Sequence, residues 1–137
     1  MLEFAGINWW AVLVVWVIYM MVGAFWYSPA GFAKQWAKHT KIDLMKIPQN
    51  EATRTVTWVA VSALVQAVTL AVMMNSLHVH TVTEGLINGL ILWLGLVTAT
   101  TVGVTLYSRR SWKFLWLNSA YFLVVMSVGS VILAAWR

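Results

Sequence analysis

The chain has 137 residues, of which 61% are hydrophobic and 9% charged, with a formal net charge of +5 and no cysteine. Soluble domains hold roughly 45–50% apolar and 25% charged residues, so this composition excludes an ordinary water-soluble fold. The lack of cysteine excludes disulfides, thiolate metal sites and thiol redox chemistry.

The excess positive charge is not spread over a surface, as a nucleic-acid binder would need. Lys34, Lys38, Lys41, Lys46 and Arg54 form one stretch, Arg109, Arg110 and Lys113 a second, and only Arg137 stands apart. Around these stretches run four nearly uncharged apolar segments, residues 8–27, 55–77, 84–106 and 114–136. Each reaches about the 20 helical residues that span a hydrocarbon core about 30 Å thick. In lipid the backbone must satisfy its own hydrogen bonds, which predicts helices. The runs are continuous rather than alternating, which excludes a β-barrel. The expectation is a single all-α integral-membrane domain over residues 1–137, with four transmembrane helices in two antiparallel hairpins. Lys and Arg gather on cytoplasmic loops, so the basic loops 28–54 and 107–113 are expected inside and both termini outside. The first span does not read as a cleavable signal: it is preceded by Glu3 rather than a basic region, and its apolar run is long.

The first span carries Trp9 and Trp10 at its expected outer end and Trp26 and Tyr27 at its inner end, where amphipathic rings settle at headgroup depth. Trp16 falls near mid-membrane and needs a partner for its indole N–H. The helix is expected to stop at Ser28-Pro29, because a residue before proline resists the helical region. Ser28 and Pro29 then read as cap and first residue of a new helix. Phe32, Ala33, Trp36 and Ala37 recur at helical spacing with Lys34, Lys38 and Lys41 on the flanks, predicting a short amphipathic helix along the inner interface. After a connector broken by Pro48, Asn50 or Thr53 is expected to cap the second span.

In the second span Ser62, Gln66 and Thr69 share one face, beside a stripe of Ala60, Ala63, Ala67 and Ala71. Both stripes are predicted to face protein, leaving Val59, Val65 and Leu70 towards lipid. The third span has Gly85 and Gly89, then Gly95, Ala99 and Gly103. Small residues allow close helix approach where no hydrophobic force drives association, so this helix is expected at the bundle centre or at an oligomer contact. The tight basic turn after it predicts a hairpin with the fourth span. There Asn118 and Tyr121 are expected opposite Thr98, Thr101 and Thr105.

Ionisable residues buried in lipid mark ion or proton pathways, and none falls at mid-depth, which argues against a proton-coupled antiporter. Gln66, Asn88, Thr98, Asn118 and Tyr121 are the candidates for helix contacts or for a polar pathway. At the outer end His78, His80 and Glu84 form a polar cluster. Two imidazoles and a carboxylate are metal-ligand types, but the spacing is loose. The favoured reading sets Glu84 at a helix N-terminus, where an acid gains roughly 0.3–1 kcal/mol. No metal, cofactor or catalytic set is expected. Lys34, Lys38, Arg109, Arg110 and Lys113 are the expected contacts to anionic lipid, at about 1 kcal/mol each.

Asn8, the run Trp26-Tyr27-Ser28-Pro29 followed by Phe32, Lys34 and Trp36, then Glu84-Gly85, Gly89, Trp93-Leu94-Gly95 and Asn118 with Tyr121 extend nearly end to end. In these the chain resembles the domain-of-unknown-function 1761 family of small bacterial four-span membrane proteins. The resemblance implies four spans in a bacterial inner membrane and no particular activity. From the residues, the expected function is that of a non-enzymatic membrane protein, an accessory or scaffolding subunit or a homo-oligomer, that binds protein partners or lipid. The alternative is a small oligomeric transporter or channel for a neutral or cationic solute. One connected lane of Gln66, Asn88, Thr98 and Asn118 favours transport, whereas scattered polar spots favour packing.

Overall fold

The structure, a computed structural model, describes residues 1–136; Arg137 lies outside them. The regular elements among its described residues are all helical, and four helical spans are long and apolar enough to cross a membrane: Trp9–Trp26, Gln49–Ser76, Val82–Tyr107 and Trp112–Ala135.

Helix α1 (Trp9–Trp26) opens on Asn8, whose Oδ1 accepts from the amides of Trp10 and Ala11 at 3.0 and 3.2 Å. It ends at Tyr27, but Ser28-Pro29 does not start the next helix as the sequence suggested. The Ser28 hydroxyl donates back to Phe25 O at 2.7 Å, and the Phe32 amide donates to Trp26 O at 2.7 Å. Both occupy carbonyls that the end of α1 leaves free. The chain therefore folds over that helix end before α2 (Ala33–Thr40) begins. A Cβ on Gly31 would strike the carbonyl oxygens of Phe25 and Trp26, so the fold-back needs glycine there. Lys41 ends α2 in the left-handed region, at φ 59°.

A 3₁₀ turn (Leu44–Lys46), capped by Asp43, leads into α3 (Gln49–Ser76). Neither Asn50 nor Thr53 caps this helix: both lie inside it, and Thr53 Oγ1 donates to Gln49 O. Pro48 precedes the first turn instead; its fixed φ sets the entry without a side-chain bond. Helix α4 (Val82–Leu92) passes through a π-helical segment (Trp93–Thr98) into α5 (Ala99–Tyr107), making one continuous span. Arg109, at φ 55°, turns the chain into α6 (Trp112–Ala135), which Ser111 caps.

Helix α6 is the hub, packed on α1, α3, α4 and α5. Gly129 lets Val15, Tyr19 and Leu70 approach it, and a Cβ there would lie 3.0–3.2 Å from them. Ala63, Ala67 and Ala71 of α3 are buried in this core as expected from their stripe. Leu70 is a correction: it is 4% exposed, not lipid-facing. The alanines turn their own face of α3 inward, and Leu70 sits on that face, seven residues after Ala63. Ser62 and Thr69 consequently lie exposed on the helix flank. Ser62 needs no protein partner, because its hydroxyl closes on Val59 O at 3.0 Å.

Gly85 and Gly89 meet α6 closely, Gly85 with Ser130 O and the Ala134 Cβ each 2.8 Å from where its own Cβ would stand. Gly95 and Gly103 have nothing within 4 Å and look outward. Asn75 near the end of α3 donates to Glu3 O and Ala5 O before α1, and Trp16 reaches Ala60 O, so α1 and α3 run in opposite senses. Gly85 beside Ala134 and Trp93 beside Ser119 show the same for the third and fourth spans.

One part of α3 is left almost unpacked. From Thr53 to Val59 every residue is exposed, although Ala63 onwards is embedded in the core. The first half of α3 thus stands away from α1 and α6.

Candidate functional site

The gap left by α3 is a cleft of about 610 Å³ bounded by α1, α2, α3, α6 and the 3₁₀ turn. Gly23 and Ala24 keep the α1 wall low, while Leu44 and Ile47 close the loop end. Tyr27, Trp36, Tyr121 and Phe122 give it aromatic sides, and no charged residue lines it. Its walls are rigidly braced. Tyr121 Oη donates to Tyr19 O at 3.1 Å, Tyr27 Oη donates to Asn118 Oδ1 at 2.8 Å, and Asn118 Nδ2 donates to Phe114 O at 3.1 Å. The Tyr27 and Tyr121 ring centroids lie 6.0 Å apart, and Trp36 meets Tyr27 edge-on at 6.4 Å. Trp26 adds a further tie, its indole N–H donating to Leu117 O at 3.2 Å.

Four polar groups on residues that line this cleft have no hydrogen-bond partner among the described residues: the Gln66 carboxamide, the Tyr19 and Thr55 hydroxyls and the Trp36 indole N–H. Tyr19 is only 1% exposed. Among the described residues no fully buried side-chain nitrogen or oxygen lacks a partner, so these groups are open enough to bond something that enters. The opposite flank of α3 carries a groove of about 540 Å³, in which the exposed Gln49 carboxamide is the one polar side chain without a partner among the described residues. There Trp16 donates to Ala60 O at 2.9 Å, and Thr53 and Thr57 close on carbonyls one turn back.

The candidate residues from the sequence separate into groups. Gln66 and Tyr121 line the cleft, and Asn118 stands behind it, holding Tyr27. Asn118 and Tyr121 face α1 rather than Thr98, Thr101 and Thr105; the α6 residue opposite Thr98 is Ser119, with the hydroxyls 2.5 Å apart. The third span is π-helical at this contact. Its i→i+5 bonding brings Trp93 and Thr98, five apart, to the same residue, and the Trp93 indole also donates to Ser119 O at 2.7 Å. Asn88 merely donates to Glu84 O on its own helix at 2.9 Å. Gln66, Asn88, Thr98 and Asn118 do not form one connected lane.

At the opposite end of the bundle, Glu84 completes a capping box with Thr81, its carboxylate accepting from the amides of His80 and Thr81 at 2.9 and 3.1 Å. His78 turns instead to Glu3, with Nδ1 3.9 Å from the carboxylate. Among the described residues no three His, Asp or Glu side chains converge as a metal site. Lys34, Lys38, Arg109 and Lys113 are exposed. Arg110 is half-buried; it donates to His39 O at 2.6 Å and lies 5.7 Å over the Phe114 ring. That bond ties the two basic stretches together at one end of the molecule.

Tyr19, Gly23 and Trp36 were not singled out as site residues from the sequence. Tyr19, Gly23 and Tyr27 do recur every four residues, a spacing that puts an aromatic-glycine-aromatic stripe on one face of α1. That signal was hidden among the many aromatics of the first span.

A family model described as a protein of unknown function (DUF1761) matches residues 10–134, nearly the whole chain, and the chain belongs to that family. No curated protein and no solved structure matches it.

Proposed function

We propose that this DUF1761 member is a non-enzymatic, multi-pass protein of a bacterial inner membrane that holds a membrane-soluble molecule in the cleft beside α3, as a binding or accessory subunit. The basic end would face the cytoplasm, with α2 along the inner leaflet and Lys34, Lys38, Arg109 and Lys113 against anionic headgroups. The observation that carries the reading is a preformed, aromatic-walled cavity holding unpartnered polar groups. Its volume of about 610 Å³ is within the roughly 300–1,000 Å³ typical of small-molecule sites. The scattered placement of Gln66, Asn88, Thr98 and Asn118 weighs against a transport lane. For a second copy or partner helix, the open face at Gly95 and Gly103 offers close approach.

The test is mass spectrometry of protein released gently from its own membrane. Wild type is expected to retain one small lipid-soluble molecule per chain. Val59→Trp, which places an indole in the cleft from a residue 48% exposed, is expected to lose it. Wild-type protein emerging empty, or both forms carrying the same molecule, contradicts the reading.

A further inference from the structure

Resting on the cleft being a ligand site, we infer that it selects an uncharged amphiphile with a carbonyl-bearing ring headgroup, of the quinone class. The headgroup is gripped between the Tyr19 hydroxyl and the Gln66 carboxamide, and its apolar tail leaves between α1 and the unpacked half of α3.

Three features point to this class. No charged side chain lines the cleft, and an ionic headgroup brought there would lose its water without gaining a counter-charge. Two of the waiting groups, the Tyr19 hydroxyl and the Gln66 carboxamide, also lie too deep for a phospholipid. Gln66 is at the middle of the apolar run 55–77, where a phospholipid offers only hydrocarbon. A ligand that satisfies Gln66 must therefore carry its polar atoms to mid-membrane, as a neutral headgroup on a hydrophobic tail does. Finally, Tyr19 and Gln66 project from separate helices and each can donate as well as accept, so acceptors on two edges of one flat group meet a donor from each. Tyr27, Trp36 and Tyr121 supply faces and edges for that ring to pack on. Carbonyl oxygens accept from a phenol O–H and an amide N–H. The ligand is bound unchanged, with no electron transfer.

The experiment uses the full chain in phosphatidylcholine nanodiscs and measures saturation binding of a labelled decyl-substituted benzoquinone. Decylbenzene, which keeps ring and tail but lacks the acceptor oxygens, serves as competitor. One quinone per chain is expected, with decylbenzene competing at least tenfold more weakly. A net hydrogen bond contributes about 0.5–1.5 kcal/mol, so Tyr19→Phe and Gln66→Leu should each weaken quinone binding by roughly twofold to tenfold. Neither should weaken decylbenzene, and Val59→Trp should abolish both. Quinone affinity unmoved by Tyr19→Phe and Gln66→Leu, or equal competition by decylbenzene, overturns the headgroup assignment. The cleft reading survives that result if Val59→Trp still blocks binding. Binding that is absent, or indifferent to Val59→Trp, overturns both. Gln66 is partly exposed and unbonded, so Gln66→Leu carries the test if the buried Tyr19→Phe proves unstable.

Discussion

At the residue scale, aromatic N–H and O–H groups do much of the joining between helices. Trp16, Trp26, Trp93 and Tyr121 each donate to a backbone carbonyl on a neighbouring span. Such bonds average only about 0.6 kcal/mol in membrane bundles, yet each fixes the rotation of two helices at once. Glycines act by absence, and two of them make opposite predictions. A Cβ at Gly89 would collide with Ser130 Oγ and lie 3.0 Å from Met126 O, whereas one at Gly103 meets nothing within 4 Å. Gly89→Ala should lower stability by about 1–3 kcal/mol. Gly103→Ala should be neutral or stabilising by up to about 1 kcal/mol. Denaturant titration in mixed micelles checks the pair, and equal effects would contradict the packing of α4 on α6. The need of Trp16 for an indole partner was legible from its depth alone. The partners of Asn118 and Tyr121 were not, because spacing along α6 shows which residues share a face but not which neighbouring helix that face meets.

At the scale of elements, hydrophobic run length and charge placement revealed all four spans. Their ends were harder to read. Ser28-Pro29 looks like a helix start, but the free carbonyls closing α1 compete for Ser28 Oγ and the Phe32 amide. Likewise the cap expected at Asn50 or Thr53 gave way to Pro48, since proline geometry starts the turn before either residue. The ends of α2 and α6 meet through Arg110, whose guanidinium donates to His39 O while lying on Phe114. Arg110→Ala should cost about 1 kcal/mol, at the modest end for a partly exposed charged hydrogen bond. It should lower the melting temperature by a few degrees, and Arg110→Lys should recover little, since an ammonium lacks the planar fork. A melting curve unchanged in both variants would show that the tie is idle. The cleft itself lives at this scale. The second span reads as one uniform apolar helix, and only the positions of its partners show that its first half stands apart.

At the scale of the whole molecule, the two basic stretches share one end, while Glu3, His78 and Glu84 share the other. The native chain has no cysteine, so single cysteines report topology cleanly. Cysteine at Lys34 or Arg109 should be labelled by an impermeant maleimide only from the cytoplasmic side, and at His80 only from outside; the reverse pattern would invert the proposed orientation. The most direct measurement places a photoreactive side chain in living cells at Val59, inside the cleft, or at Val104, 69% exposed on the outward face of α5. A single adduct of one lipid-soluble molecule at Val59, beside a spread of phospholipid adducts at Val104, is what a ligand-holding cleft predicts. The same phospholipid spread at both positions would mean that the gap beside α3 holds nothing but ordinary bilayer.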